Sequence, residues 1–259
     1  MTIIRNQNEI GVKEYLNLSK IIQEKLFDYL VKDIKIENGW KVLDIGCGTG
    51  NNSFKLSQMV GEQGKVVAID PIKDRITEAN SSYNSPNLHF YEGSANDVAR
   101  FGSDFDLVVM STVVHWIPRE DRKETFEGIR QTLKEGGSFV FNMNKQNTLN
   151  MIPITSKLNP GGEYLGGNYY PGISTNELIE LGQNSGFTTA QVKENRESLT
   201  VPSVEDYIRW AACSIHTLNY EETLQKFRKI CEEEDISCLY NSEGQVAYEE
   251  TNFFGHFQK

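Results

Sequence analysis

The chain has 259 residues, 38% of them hydrophobic, and a formal net charge of −10. That supplies apolar material for one large α/β core, while the acidic balance works against long-range attraction to a nucleic-acid backbone. No apolar run reaches the roughly 18 residues that a membrane helix needs.

The opening stretch "MTIIRNQNEIGVKEY" has no apolar h-region and no small-residue cleavage site, which predicts that the chain is not secreted. Residues 10 to 32 then carry Tyr15, Leu16, Ile22, Leu26, Phe27, Leu30 and Val31 at helical spacing. "KVLDIG" reads as a buried strand, followed by a helix over "NNSFKLSQMV". "KVVAID" is a second strand, "DRITEAN" a helix, "NLHFYEG" a third strand and "FDLVVMST" a fourth. "REDRKETFEGIRQTLKEGG" reads as a helix stopped by its two glycines, and "SFVFNMN" as the fifth strand. "LNPGGEYLGGNYYPG" reads as a long loop or lid. In "STNELIELGQNSGF", Ser174 and Glu177 form a capping box. "TTAQVKENRESL" reads as a strand, "VPSVEDYIRWAACSIHTL" as another capped helix, and "GQVAYEETNFFGHF" as a last strand. The charges from Lys226 to Asp235 read as a solvated helix face. Strands alternating with helices predict a doubly wound, mostly parallel sheet with helices on both faces.

The four cysteines, Cys47, Cys213, Cys231 and Cys238, are scattered, with no Cys-x-x-Cys pair. This predicts a reducing, cytoplasmic setting. The four histidines show no His-x-x-x-His spacing, so no metal site is predicted.

"VLDIGCGTGNN" carries the chemistry. Gly46, Gly48 and Gly50 follow the first strand, where an open parallel sheet binds ligands. A dinucleotide loop would read Gly-x-Gly-x-x-Gly, but Asn51 stands at the last expected glycine. Asp44, just before the loop, would repel a pyrophosphate and suits a ligand with a cationic arm. Asp70, at the end of the second strand, is placed to accept hydrogen bonds from ribose hydroxyls. The ligand so implied has a ribose, a positive amino-acid-like arm and no phosphates, and S-adenosylmethionine meets each condition. Cys47, inside the loop, reads as a small buried side chain.

In order, "VLDIGCGTG", "VVAID", "YEGSAND", "FDLVVMSTVVHWI" and "LKEGGSFVF" resemble the motifs of class I S-adenosylmethionine-dependent methyltransferases. The resemblance covers about residues 10 to 145. It implies a seven-stranded Rossmann-like sheet, mostly parallel with an antiparallel last strand, plus a small lid or cap. The expected layout is a single domain over 1–259: an N-terminal helical cover (1–35), a cofactor-binding core (36–145), and a lid and C-terminal substrate-side elaboration (146–259). "VVHW" is similar to a smaller group, the juvenile hormone acid, trans-aconitate and malonyl-carrier-protein methyltransferases, which methylate carboxylates.

The resemblance also implies roles. Asp44 and the backbone of Gly46, Cys47, Gly48, Gly50 and Asn51 would hold the methionine end. Asp70 would bind the ribose, with Pro71 beside it and Ile72 on the adenine. Ser94 stands where many relatives carry an adenine-binding aspartate, leaving Ser94 and the Ala95 backbone for that contact. Ser111 would lie near the methionine portion. Tyr15 and Ser19 fall on the helix that closes over the site in relatives, and Tyr164, Tyr169 and Tyr170 on the lid. His115 and Trp116 have two readings, a packed turn before Pro118 or the mouth of the methyl-transfer site.

The expected function is methyl transfer to a small molecule, on the carboxylate of an organic acid, with no nucleic-acid or membrane partner. An amine or phenol acceptor, with His115 as base, is the alternative. A protein that binds the cofactor without catalysis is the second alternative. A nicotinamide oxidoreductase would share the sheet and Asp70, but Asp44 and Asn51 argue against it. An aminopropyl transferase would need an acid at the end of the fourth strand.

Overall fold

A computed structural model describes residues 23–145, 173–206, 208, 220–233, 235, 237 and 240–259. Seven strands form one sheet: β1 (Lys41–Ile45), β2 (Lys65–Asp70), β3 (Leu88–Glu92), β4 (Phe105–Ser111), β5 (Leu133–Asn144), β6 (Thr189–Val201) and β7 (Val246–Gln258), in the order β3-β2-β1-β4-β5-β7-β6. The pairs from β3 through β5 are parallel, and β7 runs antiparallel to both β5 and β6.

The inner strands are apolar on both faces because helices cover both. Val42, Val66, Leu107 and Val109 face one layer, with α1 (23–31), α2 (Asn51–Val60), α3 (Lys73–Ser82) and α6 (Tyr220–Glu233). Leu43, Val67, Ile69 and Val108 face the other, with α4 (Arg122–Thr132) and α5 (Thr175–Asn184). That second layer is rich in aromatics. Phe126 meets Phe139 edge-on at 5.1 Å, and Phe141 meets Phe257 at 5.2 Å. Full burial of one such ring contributes about 1.5–3 kcal/mol.

Most sequence expectations hold at the level of elements. The strand over 65–70 and the helix over 51–60 have the predicted bounds. The Ser174–Glu177 capping box is present, with the Ser174 hydroxyl accepting from the Glu177 N–H at 3.2 Å. Ser203 likewise accepts from the Asp206 N–H at 3.0 Å, at the start of a helical stretch from 204.

Several boundaries differ, two of them instructively. The helix read over 119–137 begins at Arg122 and ends at Thr132, and the next residue already belongs to β5. Leu133 is buried and pairs with Phe105, whereas Leu107 pairs with Ser138. The glycines therefore serve an irregularity inside the strand, with Gly136 at φ +75°, and do not stop the helix. Similarly β6 runs on through Val201, which was expected to open a helix, because each residue to Val201 finds a partner on β7. The expected lid over 158–172, and residues 10–22 of the expected first helix, lie outside the described residues.

Candidate active site

The carboxyl ends of β1, β2, β3 and β4 converge around the glycine loop. Gly46 and Cys47 both donate their N–H to the Ile69 carbonyl, at 2.7 and 2.9 Å, which fastens the loop to β2. Gly50 donates to the Cys47 carbonyl at 3.0 Å and leads into α2 at φ +91°. Gly46 has φ +74°, and a Cβ there would lie 2.3 Å from the Val113 side chain. Left-handed backbone and close approach both require glycine at this position.

Two buried acids flank the loop. Asp44 is 2% exposed, and its Oδ2 accepts from the Ser53 hydroxyl at 2.6 Å. Burial pushes its carboxyl up to about 6, helped by the negative charge of Asp70 and opposed by the Ser53 hydrogen bond. Asp70, equally buried, accepts from the Gly48 N–H at 3.0 Å and the Ile72 N–H at 2.9 Å. Arg75 stands 3.8 Å away. Burial, with a further push from the charges of Asp44 and Asp70, raises the Cys47 thiol well above its ordinary value and holds it protonated; it is no nucleophile.

The other expected cofactor residues gather at the same end of the sheet. Asn51 donates to Glu24 on α1 at 3.1 Å and accepts from the Tyr83 hydroxyl at 3.3 Å, so its side chain ties α1 to the end of α3. Pro71 is exposed and Ile72 half-buried just beyond Asp70. Gly93 donates to the Asp70 carbonyl at 3.1 Å, which brings Ser94 and Ala95 to this corner. Ser94 donates to Asp97 at 3.2 Å, so an acid stands three positions past the expected one.

Beyond β4 the chain turns sharply. Thr112 adopts φ +61°, a left-handed conformation that a β-branched residue rarely takes. Asn142 on β5 holds this turn. Its Oδ1 accepts from the Ser111 hydroxyl at 3.0 Å and the Thr112 N–H at 3.2 Å, and its Nδ2 donates to the Thr112 hydroxyl at 3.3 Å. His115 and Trp116 follow in a short 3-10 turn, Val114–Trp116, with ring centroids 5.4 Å apart. His115 is 2% exposed, and its Nδ1 accepts a long hydrogen bond, 3.4 Å, from the Asn144 N–H. The ring proton therefore sits on Nε2. Burial, with a smaller push from the Arg122 charge, lowers the His115 pKa to about 3. The imidazole is neutral at physiological pH, and the imidazolium form is not available there. Trp116 is half-buried against the core. Tyr15, Ser19, Tyr164, Tyr169 and Tyr170 lie outside the described residues.

Ser53 and Asn142 were not anticipated. Ser53 carries a faint signal, a small polar residue in the first turn of the helix after the loop. Asn142 carries a better one, since "NMN" puts asparagines between apolar residues in a buried strand.

Residues 42–137 match the family model described as a methyltransferase domain. This stretch is a methyltransferase domain. The arsenite methyltransferase of Rattus norvegicus is 29% identical over 195 residues, covering 68% of this chain and 51% of its own. The demethylmenaquinone methyltransferase of Oceanobacillus iheyensis is 28% identical, covering 63% of this chain and 76% of its own. The chain spans about half the length of the arsenite methyltransferases it matches. Phosphoethanolamine N-methyltransferase 2 of Haemonchus contortus, solved with S-adenosyl-L-methionine, superposes with a TM-score of 0.62 at 17% identity, over 98% of this chain and 58% of its own.

The methyltransferase domain fits that cofactor on its own geometry. Two buried carboxylates stand beside one loop, one of them held back from ionising, with Arg75 as the neighbouring cation 3.8 Å from Asp70. In the first turn of α2, Asn52 Oδ1 is buried and, among the described residues, has no hydrogen-bond donor. Acceptors and acids together suit a ligand rich in donors and positive charge, and repel a pyrophosphate. No helix of the described residues is long and apolar enough to cross a membrane.

Proposed function

We propose that this protein transfers a methyl group from S-adenosylmethionine to a small organic acid, on the carboxylate oxygen. The observation that carries the methyl-transfer reading is the buried pair Asp44 and Asp70 on either side of the glycine loop. When bound, the cofactor supplies an electrophilic methyl group on a sulfonium. Asp44 and the backbone from Gly46 to Asn51 would hold the cationic methionine end. Asp70 would accept from the ribose hydroxyls, Ile72 would pack on the adenine, and Ser94 with Ala95 would border it. The turn from Ser111 to Trp116 would face the methyl group and exclude water.

The carboxylate reading is supported by the "VVHW" resemblance and by the state of His115. A carboxylate is ionised at neutral pH and needs no base. Neutral His115, protonated on Nε2, can donate to such an acid and orient it. A ring whose pKa is about 3 is a poor base, which weakens the amine or phenol alternative. The chain as one domain, with an N-terminal cover and a lid bearing Tyr164, Tyr169 and Tyr170, belongs to the same proposal, as does a cytoplasmic setting for a chain with scattered cysteines.

The test is release of S-adenosylhomocysteine from the full chain with a panel of organic acids, alongside arsenite and demethylmenaquinone. Formation of methyl esters is expected. Turnover with arsenite or the quinone and none with any acid would overturn the carboxylate reading. Tight cofactor binding with no turnover on any acceptor would favour a non-catalytic binder.

A further inference from the structure

A row of asparagines crosses the sheet from the end of β5 to the middle of β7 and β6. In the antiparallel register Asn144 on β5 lies opposite Asn252 on β7, and Asn252 lies opposite Asn195 on β6. Residues directly opposite one another share a face, so the three amides form a polar band on one side of the sheet. Asn142, which grips the turn after β4, is on the same face two residues before Asn144. That connects the band to the glycine loop through Thr112, Val113 and Gly46.

Asn252 is the anomaly in the row. Its side chain is fully buried, and among the described residues neither its Oδ1 nor its Nδ2 has a hydrogen-bond partner. Buried amides are almost always satisfied, because an unmade hydrogen bond leaves the whole desolvation cost standing. An amide with donor and acceptor both open matches a group that offers both in return. Glu250, buried two residues earlier on the same face, makes a second anion a poor neighbour.

We propose that Asn252 forms a binding subsite for an uncharged polar group, a hydroxyl or carboxamide, at the end of the methyl acceptor remote from the methylated oxygen. This rests on the methyl-transfer reading, which makes the occupant an acceptor. The acceptor class narrows accordingly, to an organic acid with a neutral hydrogen-bonding group at its other end.

The experiment follows the side-chain amide of Asn252 by NMR in the deuterated, nitrogen-15-labelled full chain with S-adenosylhomocysteine. Acetamide serves as the uncharged probe and acetate as its anionic counterpart. Fragments of four heavy atoms bind at roughly tens of micromolar at the very best and commonly far more weakly, so both are titrated to tens of millimolar. Asn252→Asp removes the amide pair and identifies its signals. A saturable shift with acetamide and none with acetate is expected. Asn252→Leu should abolish the response, leave affinity for S-adenosylhomocysteine unchanged and melt no lower than the parent. No saturable shift with acetamide, a long-lived water cross-peak that acetamide never displaces, or an equal response to acetate would each overturn the subsite. Calorimetry on the same sample separates the two readings. If S-adenosylhomocysteine does not bind, the methyl-transfer reading fails and the occupant is no methyl acceptor, whatever acetamide does at Asn252.

Discussion

Asp44 and His115 are both buried and ionisable, and burial drives their pKa values in opposite directions. For Asp44 the native value, about 6, lies above the 3.8 of an ordinary aspartate. Across that window the native state holds the extra proton, so stability falls as pH rises, by roughly 3 kcal/mol in all. Asp44→Asn keeps an oxygen for Ser53 and removes the charge. Without cofactor it should be neutral near pH 4 and stabilising at pH 7, as read by urea unfolding. A constant difference between the two pH values would contradict this. For binding the sign reverses. A cation beside Asp44 favours the ionised form, so affinity for S-adenosylmethionine should climb between about pH 5 and 7, and Asp44→Asn should flatten the climb.

His115 follows the other sign. Its native pKa, about 3, lies below the 6.5 of an ordinary histidine. Its contribution to stability is complete above about 6.5 and is lost as pH falls toward the native value. The ring should remain neutral in a proton NMR titration from pH 8 down to 5. His115→Gln should keep part of the activity, and the single-turnover rate with an ionised acid should stay flat from about pH 6 to 9. A rate that rises steeply with pH and loses the rise in His115→Gln would restore the base.

At the scale of elements, the β4–β5 pair does most to shape the site. Asn142→Ala would leave the Ser111 hydroxyl without its acceptor and the Thr112 N–H with only the Asn142 backbone carbonyl at 3.2 Å, loosening the left-handed turn. A loss of about 1–3 kcal/mol in unfolding free energy is expected, together with weaker cofactor binding, since Val113 packs on Gly46. Asn142→Asp keeps an acceptor and should lose less. Wild-type affinity in Asn142→Ala would show that the turn does not depend on the clamp.

This clamp also marks where the sequence stops being legible. Asp44, Asp70 and the glycines announce themselves because their roles follow from position along single strands. The grip of Asn142 on Ser111, 31 residues away, depends on β5 lying beside β4, which spacing alone does not state. The end of α4 is hidden for a similar reason. "TLKEGG" is locally as good a helix end as a strand start, and the pairing of Leu133 with Phe105 decides it. Interleaved Asn142, Met143 and Asn144 were the readable hint that a buried strand carries polar work.

Over the whole molecule, one end of the sheet collects the chemistry while the two apolar layers only hold it rigid. The net charge of −10 suits a cationic cofactor and disfavours polyanions. The central claim is that the glycine loop between Asp44 and Asp70 is built for a sulfonium cofactor and not for a dinucleotide. Calorimetric titration of the full chain with S-adenosylmethionine and, separately, with NAD tests it most directly. Saturable one-to-one binding of S-adenosylmethionine is expected, weakened by about 1–3 kcal/mol in Asp70→Ala, with no heat from NAD. Binding of NAD as tight as that of S-adenosylmethionine, or unchanged affinity for S-adenosylmethionine in a folded Asp70→Ala variant, would contradict it.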